Sequence, residues 1–314
     1  MRSEGGFYTV QTPQARLLCT LVKRLRRGER LSTNPLAIGD GVMVRRTTEE
    51  QGTIEKIMPR RNELARAAPG RATLKHVLVA NLDLLLVVSA VRDPAPNLAR
   101  LDRFLVIAEQ AQIPTMVIVS KIDLGDPAQA EHLYQPYRAA GYPILLTSAA
   151  TGAGVDAVRT VLRDRVSAIV GPSGVGKSTL LNTVQPGLRL RAATVSERTG
   201  KGRHTTSVAE LIALDAGGYV ADTPGLRGIE PHDLDPEMLD HFFPEMCPCL
   251  GGCRFSGCTH LHEPGCAVRA AVASSAIAAS RYDSYVKLYA EADNARRRAR
   301  VRARKGRRTA GILE

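Results

Sequence analysis

Gly171-Pro172-Ser173-Gly174-Val175-Gly176-Lys177-Ser178-Thr179 follows an apolar run ending at Val170 and leads directly into Leu180-Leu181-Asn182. The spacing GxxxxGK[ST] between a strand and a helix predicts a phosphate-binding loop. Its glycines let backbone N–H groups curl around the α and β phosphates at a helix N-terminus. Lys177 then neutralises β and γ oxygens, and the Ser178 hydroxyl is the Mg²⁺ ligand. A chance match in an unrelated loop is the alternative, which the strand-then-helix context disfavours.

Working outward, near-continuous apolar runs at 82–90, 115–120, 143–147 and 167–170 alternate with helical stretches at 98–110 and 154–162. That alternation predicts a buried parallel sheet with crossover helices, whose ligands sit at the carboxyl ends of the strands. Three further motifs fall at such ends. Ser120-Lys121-Ile122-Asp123 is similar to the guanine-specifying NKxD box of GTPases, with Asp123 accepting from the guanine N1 and N2 donors and Lys121 along the ring face. Ser120 in place of Asn gives up an amide side chain. Thr147-Ser148-Ala149 resembles the companion SA box, whose backbone N–H reads the guanine O6. Either box alone is also explained by an ordinary strand-to-helix turn. Asp222-Thr223-Pro224-Gly225 looks like the DxxG switch, with Asp222 holding Mg²⁺ through water and the Gly225 amide sensing the γ-phosphate. Together they favour GTP over ATP.

Between the boxes lies the basic, Gly-containing loop 198–206. It fits a first switch in which Thr206, or otherwise Thr205, coordinates Mg²⁺ while γ-phosphate is present. By composition it equally suits a surface loop. Position 226 is Leu, where Ras-like proteins place a water-orienting Gln. His204 is the nearest substitute, with a solvent-exposed loop histidine as the alternative. Lys177, His204, Thr206 and Gly225 are the candidate catalytic set. Gly174 stands where many potassium-assisted GTPases carry Asn, which leans against that dependence.

Five of six cysteines crowd into 247–266. Without a secretion signal, such clustering points to metal rather than disulfides. Cys253, Cys258, His260 and Cys266 form a Cys₃His set, the composition of a closed structural zinc site that folds a Pro- and Gly-rich segment. His262 is a competing ligand by position. Cys247-Pro-Cys249 is too tightly spaced for the usual knuckle, and Cys19 reads as a core residue.

The ends of the chain differ from its middle. The first seventy residues carry thirteen Lys and Arg against seven Asp and Glu, and residues 296–308 carry nine basic residues and no acidic one. Within a net charge of +12, this leaves the centre mildly acidic and suits a polyanion held by the flanks. A solvated tail that binds nothing is the plain alternative. Short strands at 7–12, 15–22, 41–46 and 52–58 predict a small β-barrel of the kind that binds oligonucleotides, with Lys23, Arg24, Arg26, Arg27 and Arg30 as phosphate contacts. No stretch approaches the length of a membrane span and residues 1–10 lack a signal-peptide core, so a cytoplasmic location is expected.

The base and SA boxes precede the phosphate loop, a circularly permuted order that compact domains tolerate because their termini lie close together. These boxes, with Gly5-Gly6-Phe7-Tyr8, Pro59-Arg60-Arg61-Asn62-Glu63-Leu64, Gly202-Arg203-His204-Thr205-Thr206 and Cys253-x₄-Cys258-x-His260-x₅-Cys266, resemble the RsgA (YjeQ) family of circularly permuted GTPases over nearly the whole chain. The resemblance implies a multidomain α/β protein: an OB-type barrel at 1–68, a permuted P-loop GTPase domain at 69–230, a zinc-binding helical domain at 231–294 and a basic tail at 295–314. It also implies a monomer that assists late maturation of the small ribosomal subunit, with GTP hydrolysis stimulated by that subunit and its rRNA held by the flanks. A slow GTP sensor on an RNA-binding scaffold is the alternative left open by Leu226 and Ser120. A P-loop ATPase is disfavoured by Asp123.

Overall fold

The computed structural model describes residues 2–4, 6–27, 34–68, 71–188, 209–223, 226, 229 and 234–310. Alternating burial in the first strands sets the barrel. β1 (Arg2–Glu4), β2 (Phe7–Gln11), β3 (Arg16–Leu21), the short helix α1 (Lys23–Arg27), β4 (Val42–Arg46) and β5 (Gln51–Ile57) follow one another. Their inward residues Val10, Leu17, Cys19, Leu21 and Ile54, with Leu36 from the segment before β4, form one apolar cluster. Burial raises the Cys19 thiol pKa above its ordinary value, as a core residue requires. The strand order β1-β2-β3-β5-β4 includes a parallel β3·β5 pairing. Two expectations shift here. The basic segment after Val22 begins as helix α1, and the chain turns back through a hairpin of β6 (Glu63–Ala68) and β7 (Arg71–Ala80). The expected boundary at residue 68 therefore falls at the end of β6, which is paired with β7.

Pro59–Leu64 joins this hairpin to the next strand. The Asn62 side chain donates to the Leu82 carbonyl (2.9 Å) and accepts from the Leu82 amide (2.8 Å). Arg60 grips the buried Asp40 carboxylate with two nitrogens (2.6 and 2.8 Å) and reaches Glu63 (2.8 Å). The motif is thus a structural splice.

The second sheet is laid down by β8 (Leu84–Ala90), α2 (Leu98–Gln110), β9 (Thr115–Ser120), α3 (Pro127–Ala139), β10 (Ile144–Leu146), α4 (Val155–Leu162), β11 (Val166–Val170), α5 (Lys177–Val184), β12 (Glu210–Ala213) and β13 (Tyr219–Asp222). Its order is β10-β9-β8-β11-β13-β12, parallel throughout except for β12. All seven residues of β8 are buried, as a central strand covered on both faces requires. β12 also pairs with β1, so barrel and parallel sheet share one hydrogen-bonded ladder.

By packing, Met1–His132 and Pro143–Glu230 form one unit, and Leu133–Tyr142 with Pro231–Glu314 form another. The latter contains α6 (Ala267–Ala273) and α7 (Ala279–Ala310), where one helical stretch at 268–294 and a separate tail were expected. The break falls at 274–278, and the helix continues through the basic run. Within this unit Arg281 is buried (1% exposed) and paired with Glu245 (2.6 and 3.2 Å). Its guanidinium lies 4.8 Å from the Phe243 ring centre and 5.1 Å from that of Tyr137. Removing one partner of such a pair strands the other charge. Arg281→Ala should therefore destabilise this unit by about 3–5 kcal/mol in denaturant unfolding, whereas an unchanged midpoint would show the pair to be dispensable.

Candidate nucleotide site and metal centre

Parallel pairing places the carboxyl ends of β9, β10, β11 and β13 on one edge of the sheet, and the motifs occupy those ends. Gly171, with φ +145°, leaves β11 so close to β8 that a Cβ would stand 2.3 Å from the Val88 carbonyl oxygen. Gly176 has φ +90° and precedes α5, which opens with Lys177 and Ser178. Lys177 Nζ donates to the Gly171 and Pro172 carbonyls (2.8 and 2.6 Å), so its ammonium is folded over the loop that its charge serves. Ser173 and Gly174 are exposed at the loop's mouth, as is Thr179 on α5, and Val175 is buried beneath it.

Ser120, the departure from Asn, has a definite task. Buried at the end of β9, its hydroxyl donates to the Val175 carbonyl (2.6 Å), with the Ser89 carbonyl 3.2 Å away as an alternative acceptor. One short side chain thereby ties the base box to the phosphate loop. Lys121 follows with φ 58°, its ammonium donating to the Asp93 carbonyl and its stem running past Gly176. The Ile122 amide donates to the Thr147 carbonyl (3.2 Å), joining the two base boxes.

Ser148 is fully buried. Its hydroxyl accepts from the Thr151 amide (3.1 Å), which leaves its proton for Asp123 Oδ1 (2.5 Å). The carboxylate is thus held by the Ser148 hydroxyl. Ala149 continues the turn half-buried. Asp222 ends β13, beside β11, and its carboxylate and the Ser178 hydroxyl are oxygen donors suited to Mg²⁺. Leu226 is buried (3% exposed), consistent with a packing residue rather than one that orients water. His204, Thr205, Thr206 and Gly225 lie outside the described residues.

In the C-terminal unit the ligand atoms of Cys253, Cys258, His260 and Cys266 lie within 4.8 Å of one another, a group able to hold a metal ion. His260 Nδ1 is 3.6 Å from Cys253 Sγ and 3.4 Å from Cys266 Sγ. Cys253 Sγ accepts from the Ala267 amide (3.3 Å) and Cys266 Sγ from the Arg269 amide (3.4 Å) at the start of α6. Burial raises the Cys253 thiol, but the Ala267 amide and the neighbouring thiols together outweigh it and leave the pKa below the ordinary value. Cys258 is pushed up to about 12, mainly by burial. His262 is exposed, and Cys247 and Cys249 stand outside the group.

Asp240 had no signal in the sequence. It lies in a Pro-containing 3₁₀ turn at 236–242 and accepts from His260 Nε2 (3.1 Å), so Nδ1 is the nitrogen that faces the thiols. With that contact as the largest cause, the His260 pKa is raised to about 9 without metal. A metal at Nδ1 must displace this proton, and binding should strengthen as pH rises.

The RsgA GTPase family model matches residues 57–232. The chain belongs to that family. The small ribosomal subunit biogenesis GTPase RsgA of Gemmatimonas aurantiaca is 43% identical over 290 residues, covering 92% of this chain and 94% of that one. The RsgA of Moorella thermoacetica is 42% identical, covering 93% and 95%. Among solved structures, YjeQ from Thermotoga maritima superposes with a TM-score of 0.76 at 35% identity (92% and 95% covered). YloQ, described as a circularly permuted GTPase, gives 0.72 at 29% (93% of each chain). RsgA relatives thus match both the permuted sheet and the flanking segments. Among the described residues, no helix is long and apolar enough to cross a membrane.

Two outcomes follow. Ser148→Ala leaves Asp123 without its donor and should weaken GDP binding about tenfold by calorimetry, the scale of a hydrogen bond to a charged group. Asp240→Asn should loosen the metal about 10- to 100-fold in competition with a chromophoric chelator, as loss of a histidine's supporting carboxylate does.

Proposed function

We propose that the chain binds GTP at the edge formed by β9, β10, β11 and β13, hydrolyses it, and uses the cycle to engage and leave the small ribosomal subunit during its maturation. The observation that carries this reading is the pre-set Asp123 carboxylate, joined through Ser120 to the phosphate loop. Asp123 accepts from the guanine N1 and N2 donors, and the Ser148-Ala149 turn presents a backbone donor to O6. Residues 171–179 wrap the phosphates, with Lys177 on the β and γ oxygens. Ser178, Thr206 and Asp222 would hold Mg²⁺, which would supply neutralisation of phosphate charge. Water adds to the γ-phosphorus as the bond to the β-phosphate oxygen breaks, giving GDP and phosphate. His204 orients that water in place of the glutamine that Leu226 replaces, and the Gly225 amide registers the γ-phosphate.

We further assign zinc to the Cys₃His group. Four ligands about 2.3 Å from a tetrahedral centre stand about 3.8 Å apart, and the separations found here are 3.4, 3.6 and 4.0 Å. Three thiolates and an imidazole leave no open position for water, so its role is to fold the segment. The barrel and the basic part of α7 hold rRNA, and this binding weakens steeply with salt.

GTP turnover should rise at least tenfold when purified small subunits are added; a rise of less than a few-fold would favour the scaffold with a slow sensor. His204→Ala should keep GTP affinity and lose most of the stimulated turnover, and unchanged stimulated turnover would remove His204 from the mechanism.

A further inference from the structure

The C-terminal unit carries a cleft of about 920 Å³, lined in part by the metal ligands Cys253, Cys258 and His260. Phe255, Tyr285, Tyr289, Asp240, Glu237 and Arg296 also line it. That volume lies within the range of sites that enclose a small molecule. Phe255 is 46% exposed, with the Arg254 guanidinium 5.5 Å from its ring centre, so its ring is already a platform for a flat partner. Tyr285 is buried and fixed by donating to the Thr259 carbonyl (2.8 Å).

The helix that supplies Tyr285 and Tyr289 also supplies the cations. Positions 285, 289, 296 and 300 recur at helical spacing and share one face of α7. The face therefore runs from aromatic cleft to arginines. Arg296 is held by Glu237 (2.6 Å), with Asp235 and Asp293 each 3.7 Å away. Glu237 and Asp235 are exposed, so these pairs are weak and salt-screened, and a phosphate can replace them. Arg300 is exposed one turn farther on. Carboxylates at the cleft repel a phosphate but accept from the N–H edge of a neutral base. Aromatic walls with arginines alongside are the means by which single strands are held.

We infer that this cleft takes one unpaired base of a single-stranded RNA segment whose phosphates run along Arg296 and Arg300. The inference rests on the ribosomal reading for its choice of RNA as the polyanion. A paired base is stacked inside its helix and cannot enter.

The test uses the full chain with its metal and two fluorescein-labelled RNAs, a short single strand and a blunt duplex. Phe255→Ala should weaken the single strand about tenfold, as loss of a stacking platform does, and leave the duplex unchanged. Arg300→Gln should weaken both and reduce the salt slope by about one. Unaltered zinc content and far-ultraviolet dichroism exclude misfolding. Equal losses on both RNAs for Phe255→Ala, or none on either, would overturn the cleft. So would displacement of the single strand from wild type by an arginine-rich peptide that no longer binds Phe255→Ala, since the occupant would then be a protein. Subunit-stimulated GTP turnover is measured in parallel: if it persists while the RNA test fails, the cleft alone is wrong, and if it is absent, the ribosomal reading itself fails.

Discussion

The hydroxyl of Ser120, bonded to the carbonyl of Val175, ties the end of β9 to the loop at 171–179. Around it, Lys121 is held by the Asp93 carbonyl and Ile122 is bonded to Thr147. These ties depend on which strands are neighbours, not on which comes first in the chain. The parallel order β10-β9-β8-β11-β13 brings the strand ends that carry these motifs to one edge. β8 and β11 lie side by side although more than seventy residues separate them in sequence. The domain can begin at β8 because the splice at Asn62 and Leu82 fixes where that strand starts.

The C-terminal unit meets a different constraint. Its segment between β13 and α6 contains no described strand and little helix beyond 3₁₀ turns, so regular backbone hydrogen bonding offers little to fix it. Two polar centres compensate. One is the Cys₃His group, oriented from outside by Asp240 and by amides at the start of α6. The other is Arg281, buried against Glu245 and aromatic rings. Tyr282 and Tyr285 link them, donating to the carbonyls of His260 and Thr259. A metal held by the Cys₃His group would therefore bind as this unit folds.

Much of this was legible in the sequence because the determining features are local. The runs at 98–110 and 115–120 match α2 and β9 to the residue, since a helical apolar stripe and a continuous β-rich run have distinct periods. The phosphate loop and the four metal ligands depend on spacing within short segments, and spacing survives into the fold. What escaped depends on distant chain. Helix α3 contains Pro136 and has a weak apolar pattern, so no local period marks it. The pairing of β7 with β6 rather than with the parallel sheet, the Asp240 contact and the buried role of Arg281 each join residues too far apart for any local period. Ser120 looked like a weakness because its spacing shows only a missing amide, whereas its hydrogen bond to Val175 appears only when the strand ends meet.

The central claim is that a preset aspartate at one strand end makes this phosphate loop specific for guanine. Competition between unlabelled GDP and ADP for a fluorescent guanine nucleotide tests it most directly. Guanine should win by at least about a hundredfold, since adenine offers no N1–H and N2–H pair and would leave a carboxylate desolvated and unpaired. Comparable competition by ADP would contradict the account.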